Sequence, residues 1–385
     1  MRKEWIITLF LIVNKIFFNT FKLSKKTNNI VFLCDFGDNA EYVTKELGRR
    51  GYRDVVVLKT GKCKTSFKDA GVREIVSFKP TKPVDYLRGL KRLATARTVL
   101  IDNYAALLSV CHFNDEVEVI QLWHAAGAVK KFGMVDPSLT YRTPKAINRI
   151  SKVYEEMDKI VVGSPFMAQI FARAFQKESN AFLHTGIPRT DFFFDEKAMS
   201  ETTDKVYATY PELRSKKVVL YAPTFRDNEL TQQQIPLDFV KIASQLGDDY
   251  RLVIKLHPAV AHDLNAFRHP YIINVANKLS VNDLLLVTDY LVSDYSSIPY
   301  EFALLGKPQI FYPYDLEQYQ MSRGFWDSYD QVVPGPVVDS DDELVHTILH
   351  MDFDLPQVEQ FAAKWNCYSD GHTARKLVDY LLNEE

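Results

Sequence analysis

The chain has 385 residues, of which 46% are hydrophobic and 13% aromatic, so it can bury a large core and belongs to the ordered globular class. Its 47 basic residues nearly balance its 49 acidic residues, and this balance provides no overall field that would favour nucleic acid as a partner. The length predicts two domains. The four cysteines are scattered without a metal-ligand spacing, which predicts reduced, cytosolic thiols.

The N-terminal segment is strongly apolar. Bulky apolar side chains dominate Trp5 to Leu23, but polar residues interrupt them before an unbroken run reaches the ~18–20 residues of a membrane span. Drawn as a helix, the segment has a single polar stripe, formed by Thr8, Lys15, Asn19 and Lys22. We therefore predict an amphipathic helix within residues 1–27 that lies in the plane of a membrane. A helix docked on the protein's own core is the alternative.

Two series of alternating strand-like and helix-like segments follow. Strands of the first series are predicted at Ile30–Cys34, Val55–Leu58, Val99–Asp102, Val117–Leu122 and Lys159–Gly163. Strands of the second series are predicted at Lys217–Pro223, Tyr250–Leu256, Tyr290–Ser293 and Gln309–Phe311. This alternation predicts an α/β protein with mainly parallel, doubly wound sheets, divided into domains at residues 28–200 and 201–385.

A polar turn at residues 293–297 stands between a strand-like run and a helix-like segment. Free N–H groups at such a helix start attract anions, and the serine hydroxyls add donors. Asp294, Ser296 and Ser297 therefore bind a phosphate or only cap the helix, and the sequence leaves both roles open.

Each half of the chain also ends one strand on a histidine. His124 follows Gln121-Leu122-Trp123, and His257 follows Lys255-Leu256. One such histidine can accept a proton from an attacking hydroxyl, while the other holds a phosphate oxygen. A single histidine is more often structural, but the matched positions favour the chemical role. Small residues after His124 would allow another molecule to approach closely.

Two arginines are candidates for phosphate binding. Arg226 closes a predicted strand and can grip a phosphate with two N–H groups, although an exposed turn with Asp227 explains it equally well. Arg323 precedes Gly324 in an aromatic-rich loop that suits a second clamp. The chain has no Walker, GxSxG, HExxH or GxGxxG motif. We therefore expect neither a metal nor a cofactor, with helix dipoles and basic side chains neutralising phosphate charge.

Six motifs, within roughly Val99 to Val338, carry a family resemblance. They are Trp123-His124-Ala125-Ala126-Gly127 with Lys130-Lys131-Phe132-Gly133, Thr185-Gly186-Ile187-Pro188-Arg189, Tyr221-Ala222-Pro223-Thr224-Phe225-Arg226-Asp227, Lys255-Leu256-His257-Pro258, Ser293-Asp294-Tyr295-Ser296-Ser297 and Arg323-Gly324-Phe325. Together they resemble the CDP-glycerol glycerophosphotransferases of teichoic acid synthesis. The short chain and the Trp-His-Ala-Ala-Gly form are most similar to the TagB/TarB type, a primase. Phe225 stands where this family commonly has Trp.

The resemblance implies a GT-B fold, with two Rossmann-like domains facing across a cleft. The N-terminal domain would hold the acceptor and the C-terminal domain CDP-glycerol. His124 would be the general base, and Asp294 would fix the serine turn. Glu301 would accept hydrogen bonds from the ribose, by analogy with GT-B enzymes generally. The remaining donor-site residues would approach the phosphates: Arg226, Lys255, His257, Ser296, Ser297 and Arg323.

The implied reaction transfers glycerol phosphate from CDP-glycerol to the lipid-linked disaccharide ManNAc-GlcNAc-diphosphoundecaprenol and releases CMP. It would occur at the cytoplasmic face of the membrane of a Gram-positive bacterium, with the protein bound peripherally. Three alternatives remain: a glycerol phosphate or ribitol phosphate polymerase of the same family, a GT-B glycosyltransferase that uses a nucleotide sugar, and a non-catalytic binder of a wall precursor.

Overall fold

The computed structural model describes residues 2–224, 226, 237–256, 269–275 and 279–384, with residues 2 and 3 in backbone only. The chain forms two compact units. The first comprises the chain up to Ala125, Phe132–Asp191 and Cys367–Glu385, and the second comprises Ala126–Lys131 and Phe192–Asn366.

The first unit is a parallel sheet with helices. Its strands are β1 (Ile30–Cys34), β2 (Val55–Lys59), β3 (Glu74–Ser77), β4 (Thr98–Ile101), β5 (Glu118–Gln121), β6 (Lys159–Val161) and β7 (Phe182–Leu183). Its first five helices are α1 (Arg2–Lys22), α2 (Asp38–Arg49), α3 (Pro83–Ala94), α4 (Pro144–Glu155) and α5 (Pro165–Phe175). The strands lie in the order β3-β2-β1-β4-β5-β6-β7. Every residue of β1 and β4 is buried, as expected for central strands covered on both faces.

The second unit repeats the plan with five parallel strands in the order β10-β9-β8-β11-β12. They are β8 (Lys217–Tyr221), β9 (Tyr250–Ile254), β10 (Ile272–Asn274), β11 (Tyr290–Ser293) and β12 (Gln309–Phe311). Its helices are α6 (Glu196–Thr209), α7 (Phe239–Leu246), α8 (Val281–Val287), α9 (Ile298–Phe302), α10 (Leu316–Arg323), α11 (Tyr329–Val332), α12 (Asp341–His350) and α13 (Leu355–Asn366). The predicted α/β class with parallel sheets is thus confirmed. The strands β3 and β10 were not predicted from the sequence, and of β7 the sequence predicted only a strand end near His184.

The C-terminal helix α14 (Thr373–Leu382) belongs to the first unit, whereas the sequence-based division at residue 200 placed it in the second domain. Arg50 of α2 forms ion pairs with Asp379 and Glu384. Asp191 accepts hydrogen bonds from the backbone N–H groups of Thr373 and Ala374, each at 2.9 Å. These long-range contacts have no local sequence signal.

The helix α1 docks on the first unit along a narrow face. Leu11 and Phe18 are buried, Asn14 accepts a hydrogen bond from Tyr86 at 2.7 Å, and Glu4 pairs with Arg149 at 3.1 Å. The exposed large apolar side chains of α1 are Trp5, Ile6, Leu9, Phe10, Ile12, Val13, Ile16 and Phe17. By length and composition, Glu4–Lys22 is apolar enough to cross a membrane. The helix therefore docks on the core and still exposes a wide apolar face.

Candidate active site

In the first unit, the backbone orients the ring of His124. His124 follows β5 and is half-buried, and its Nδ1 lies 3.0 Å from the carbonyl oxygen of Asp102, which follows β4. A carbonyl oxygen can only accept, so Nδ1 carries the proton in this hydrogen bond. In the neutral ring, Nε2 then has the lone pair. This tautomer is the one that a general base requires at Nε2.

Two aromatic rings fix the plane of the imidazole. Phe36 stacks on His124 with ring centroids 4.5 Å apart, and the Trp123 ring lies at 4.4 Å. Trp123 has a φ of 60°, in the left-handed region that costs a non-glycine residue about 1–3 kcal/mol. Its carbonyl accepts a hydrogen bond from Asn39 at 2.9 Å, and its N–H donates to Gln121 at 2.8 Å. The fold therefore holds a strained backbone immediately before His124.

Asp102 connects this backbone to the loop that carries Phe36. Its carboxylate accepts hydrogen bonds from the N–H groups of Asp35, Phe36 and Gly37, at 2.8, 3.0 and 2.7 Å. Burial raises the pKa of Asp102 to about 6, and it outweighs these three hydrogen bonds, which act in the opposite direction. Asp102 thus positions His124 through its carbonyl and the Phe36 loop through its carboxylate.

In the second unit, Arg226 is enclosed by acceptors of the same unit. Nη1 donates to Asp294 at 2.6 Å and to the carbonyl of Thr224 at 2.6 Å, and Nε and Nη2 donate to Asp315 at 3.1 and 2.8 Å. These bonds use four of the five N–H groups of a guanidinium. Arg226 is also only 6% exposed. In this structure it therefore joins three segments of the unit, and the two-pronged phosphate grip stays a prediction.

Aromatic rings surround the same guanidinium. Its carbon lies 5.1 Å from the ring centre of Tyr295, 4.8 Å from Tyr314 and 5.2 Å from Tyr319. Burial disfavours the charged form of Arg226, but the hydrogen bonds to Asp315 and Asp294 raise its pKa further above the ordinary value. The cation is therefore permanent, and the cage holds the residues around the serine turn in place.

The serine turn follows β11 as predicted, and the structure separates the roles of its residues. Asp294 is 1% exposed and does not cap α9, because its carboxylate binds Arg226 and the N–H of Thr224. Ser296 accepts a weak hydrogen bond from Ile298 at 3.3 Å. Ser297 precedes α9, but its side chain makes no capping bond. Both serines are half-buried, so the capping role is minor and the role in phosphate binding stays a prediction.

The other predicted donor-site residues lie in three settings. Lys255 follows β9 and donates to the carbonyl of Leu279 at 3.0 Å, and burial lowers its pKa. Glu301, on α9, is 1% exposed. Arg323 is half-buried at the end of α10. His257 lies outside the described residues.

The small residues after His124 serve an internal contact. The segment Ala126–Lys131 belongs to the second unit. A Cβ atom added to Gly127 would lie 2.1 Å from the ring of Tyr300, and the N–H of Lys131 donates to the carbonyl of Gly324 at 3.0 Å. The close approach predicted for another molecule at Gly127 is thus occupied by Tyr300 of the same chain.

Several residues of the site were not singled out in the sequence as site residues. Asp102 and Asn39 hold the His124 loop, and Asp315 and the tyrosine cage hold Arg226. Asp102 follows the buried strand β4 directly, and this position was the available signal, whereas Asp315 lies four residues after the end of β12. Among the described residues, no cluster of three or more His, Cys, Asp or Glu side chains could hold a metal ion.

Comparison with known proteins extends over nearly the whole chain. The family model described as CDP-Glycerol:Poly(glycerophosphate) glycerophosphotransferase matches residues 15–383. The teichoic acid glycerol-phosphate primase of Bacillus spizizenii is 35% identical over 363 residues, which cover 94% of this chain and 94% of that protein. The teichoic acid poly(ribitol-phosphate) polymerase of the same species is 31% identical, but the match covers only 56% of its length.

A solved structure supports the fold. The structure of the wall teichoic acid polymerase TagF superposes with a TM-score of 0.79 at 20% identity, covering 100% of this chain and 98% of that chain. At this identity, the likeness establishes a TagF-like, GT-B-like fold alone. The family match and the primase identity establish more: the chain is an enzyme of the CDP-glycerol:poly(glycerophosphate) glycerophosphotransferase family.

Proposed function

We propose that the enzyme transfers glycerol phosphate from CDP-glycerol to the lipid-linked disaccharide ManNAc-GlcNAc-diphosphoundecaprenol and releases CMP. The observation that carries the chemistry is the orientation of His124, whose Nδ1 is held 3.0 Å from the Asp102 carbonyl. Nε2 is thereby the basic nitrogen. In this family, the step that needs a base is the deprotonation of an acceptor hydroxyl.

The transfer is an in-line displacement at phosphorus. Nε2 of His124 takes the proton of an acceptor hydroxyl, and the oxygen forms a bond to the glycerol-bearing phosphorus of CDP-glycerol. The bond from this phosphorus to the bridging oxygen breaks, and its electron pair leaves with CMP. The proton then passes from the imidazolium to solvent. Positioning and charge stabilisation supply most of the rate enhancement in such transfers.

The donor phosphates would bind in the second unit. The two half-buried serines of the turn and the side chains of Lys255 and Arg323 offer donors there, and the Arg226 cage fixes the turn through Asp294. Glu301 would meet the ribose only if a side-chain shift exposed it, since it is 1% exposed in this structure. A TagF variant was soaked with CDPG, which agrees with this donor class. We propose that helix dipoles and basic side chains neutralise the phosphate charge, so that no metal is needed.

Sequence similarity favours a primase over a polymerase. The glycerol-phosphate primase of Bacillus spizizenii is 35% identical to this chain, and the poly(ribitol-phosphate) polymerase of the same species is 31% identical. A primase adds one unit, whereas a polymerase must return its product to the site repeatedly. The nucleotide-sugar and non-catalytic alternatives have no supporting observation beyond the fold.

The apolar face of α1 would attach the enzyme peripherally to the cytoplasmic face of the membrane, where a lipid-linked acceptor is presented. Contacts of Glu4 and Asn14 with the body of the first unit support a helix lying along the protein.

Product length and donor choice test the proposal. Purified enzyme is incubated with the lipid-linked disaccharide and either CDP-glycerol or CDP-ribitol. We expect CMP release with CDP-glycerol and a product one unit longer than the acceptor. A ladder of products would identify a polymerase. Transfer from CDP-ribitol and not from CDP-glycerol would show that CDP-ribitol is the donor.

A further inference from the structure

A cavity of about 430 Å³ lies in the first unit, and Asp102, which orients His124, is one of its lining residues. Its floor is formed at the carboxyl ends of the central strands, where Leu33, Gly61 and Asp102 line it, and its outer wall includes Phe10 of α1 and Tyr86 of α3. The volume falls within the ~300–1,000 Å³ typical of small-molecule sites. Asp102 links the cavity to His124, because the Asp102 carbonyl accepts the hydrogen bond of the histidine ring.

One end of the cavity is polar and acidic. Asp35, Asp102 and Asn103 line it, and Asn103 donates to Asp35 at 2.9 Å. Lys62 pairs with Asp35 at 3.4 Å. Carboxylates repel phosphate groups but accept hydrogen bonds from neutral hydroxyls. This end therefore suits a sugar better than the diphosphate of a nucleotide.

The other end is aromatic. Phe78 and Tyr86 stack with ring centroids 4.5 Å apart, and Phe10 lies 6.1 Å from Tyr86. Phe10 is also 38% exposed and belongs to the apolar outer face of α1. An apolar surface is thus continuous from the outside of α1 into the cavity. Lys79 lines the same cavity and adds a cation.

We propose that this cavity binds the acceptor, a sugar joined through phosphate to an apolar chain. The sugar hydroxyls lie at the acidic end, near the Asp102 backbone that orients His124, the phosphate lies near Lys79, and the chain leaves past Phe10 along α1. This assignment rests on the proposed function and adds the residues that recognise the acceptor. It also gives α1 a direct part in substrate binding.

Obstruction of the cavity tests the proposal. Gly61 lines the cavity without a left-handed backbone, and an added Cβ would meet only Lys79 Cε at 3.9 Å. Gly61→Phe can therefore place a ring in the cavity without backbone strain, while Gly61→Ala adds little volume. Ala106→Leu enlarges a second lining residue. The probe is a synthetic disaccharide diphosphate with one alkyl chain, and its Kd is measured by calorimetry.

We expect Gly61→Phe and Ala106→Leu to weaken probe binding by roughly tenfold or more, which corresponds to about 1.4 kcal/mol. Gly61→Ala should bind the probe like wild type, and all variants should bind CDP-glycerol like wild type. Wild-type affinity for the probe in both enlarged variants, or no probe binding by wild type, would overturn the assignment. A different result would contradict the proposed function and leave the cavity assignment intact: wild type binds the probe but releases no CMP from CDP-glycerol.

Discussion

The carboxyl of Asp102 should make the stability of the protein depend on pH in a way that one substitution removes. Its pKa is raised from 3.8 to about 6 by burial, so protonation favours the folded state. The stabilisation is fully present below pH ~4 and is lost as the pH rises through about 6. A change from 3.8 to about 6 corresponds to about 3 kcal/mol of unfolding free energy.

The test compares wild type with Asp102→Asn, whose side chain does not titrate. For each protein, the unfolding free energy at pH 7.5 is subtracted from the value at pH 4.5, both from urea titrations. Comparing the two differences cancels the contributions of all other groups. Lowering the pH should raise the unfolding free energy of wild type, relative to that of the variant, by about 2–3 kcal/mol. An unchanged or opposite difference would refute the reasoning, because it would mean that the hydrogen bonds from residues 35–37 outweigh burial.

Four further predictions follow from the structure. Arg226→Ala leaves two carboxylates without their cation, so the unfolding free energy should fall by about 3–5 kcal/mol in urea titrations. Gly127→Ala should lower the unfolding free energy by about 1–3 kcal/mol through overpacking against Tyr300, and Tyr300→Leu should recover part of the loss. The double change Ile6→Asp and Ile16→Asp should abolish sedimentation with anionic phospholipid vesicles, because both side chains are at least 60% exposed on α1. Dialysis against EDTA should leave the rate of CMP release unchanged.

Matched controls make these results decisive. Arg214→Ala removes an exposed arginine that contacts Tyr207 and should cost less than about 1 kcal/mol. Thr20→Asp adds charge to α1 outside its apolar residues and should preserve vesicle binding. Wild-type stability of Arg226→Ala or of Gly127→Ala would contradict the packing argument for that residue. Vesicle binding by the double variant would contradict the role of α1, and loss of turnover in EDTA would contradict the metal-free reaction.

Local sequence predicted the strands well where apolar runs were long. The run Ile30–Cys34 is buried throughout and pairs with β2 and β4 as a central strand. By contrast, β7 has only two residues, and β3 exposes Ile75, so neither shows the apolar run of a central strand. Short edge strands depend on their neighbours more than on their own sequence.

The site was predictable only in part, because its decisive contacts are long-range. The position of His124 after a strand was visible, but the carbonyl that accepts its Nδ1–H and selects its tautomer belongs to Asp102, which follows a different strand. For Arg226, nothing in the local sequence predicts that Asp294 and Asp315 would enclose it. Similarly, Gly127 indicated close approach but not that Tyr300 would be the neighbour.

We propose that His124 is the base in a single transfer of glycerol phosphate. The most direct test incubates wild type and His124→Ala with radiolabelled CDP-glycerol and the lipid-linked disaccharide, and measures CMP release, product length and the Kd of CDP-glycerol. We predict one added unit for wild type, and a rate reduced by about 10²–10⁴ in the variant with donor binding retained. A variant that keeps the wild-type rate, or a wild-type product longer than one unit, would contradict the account.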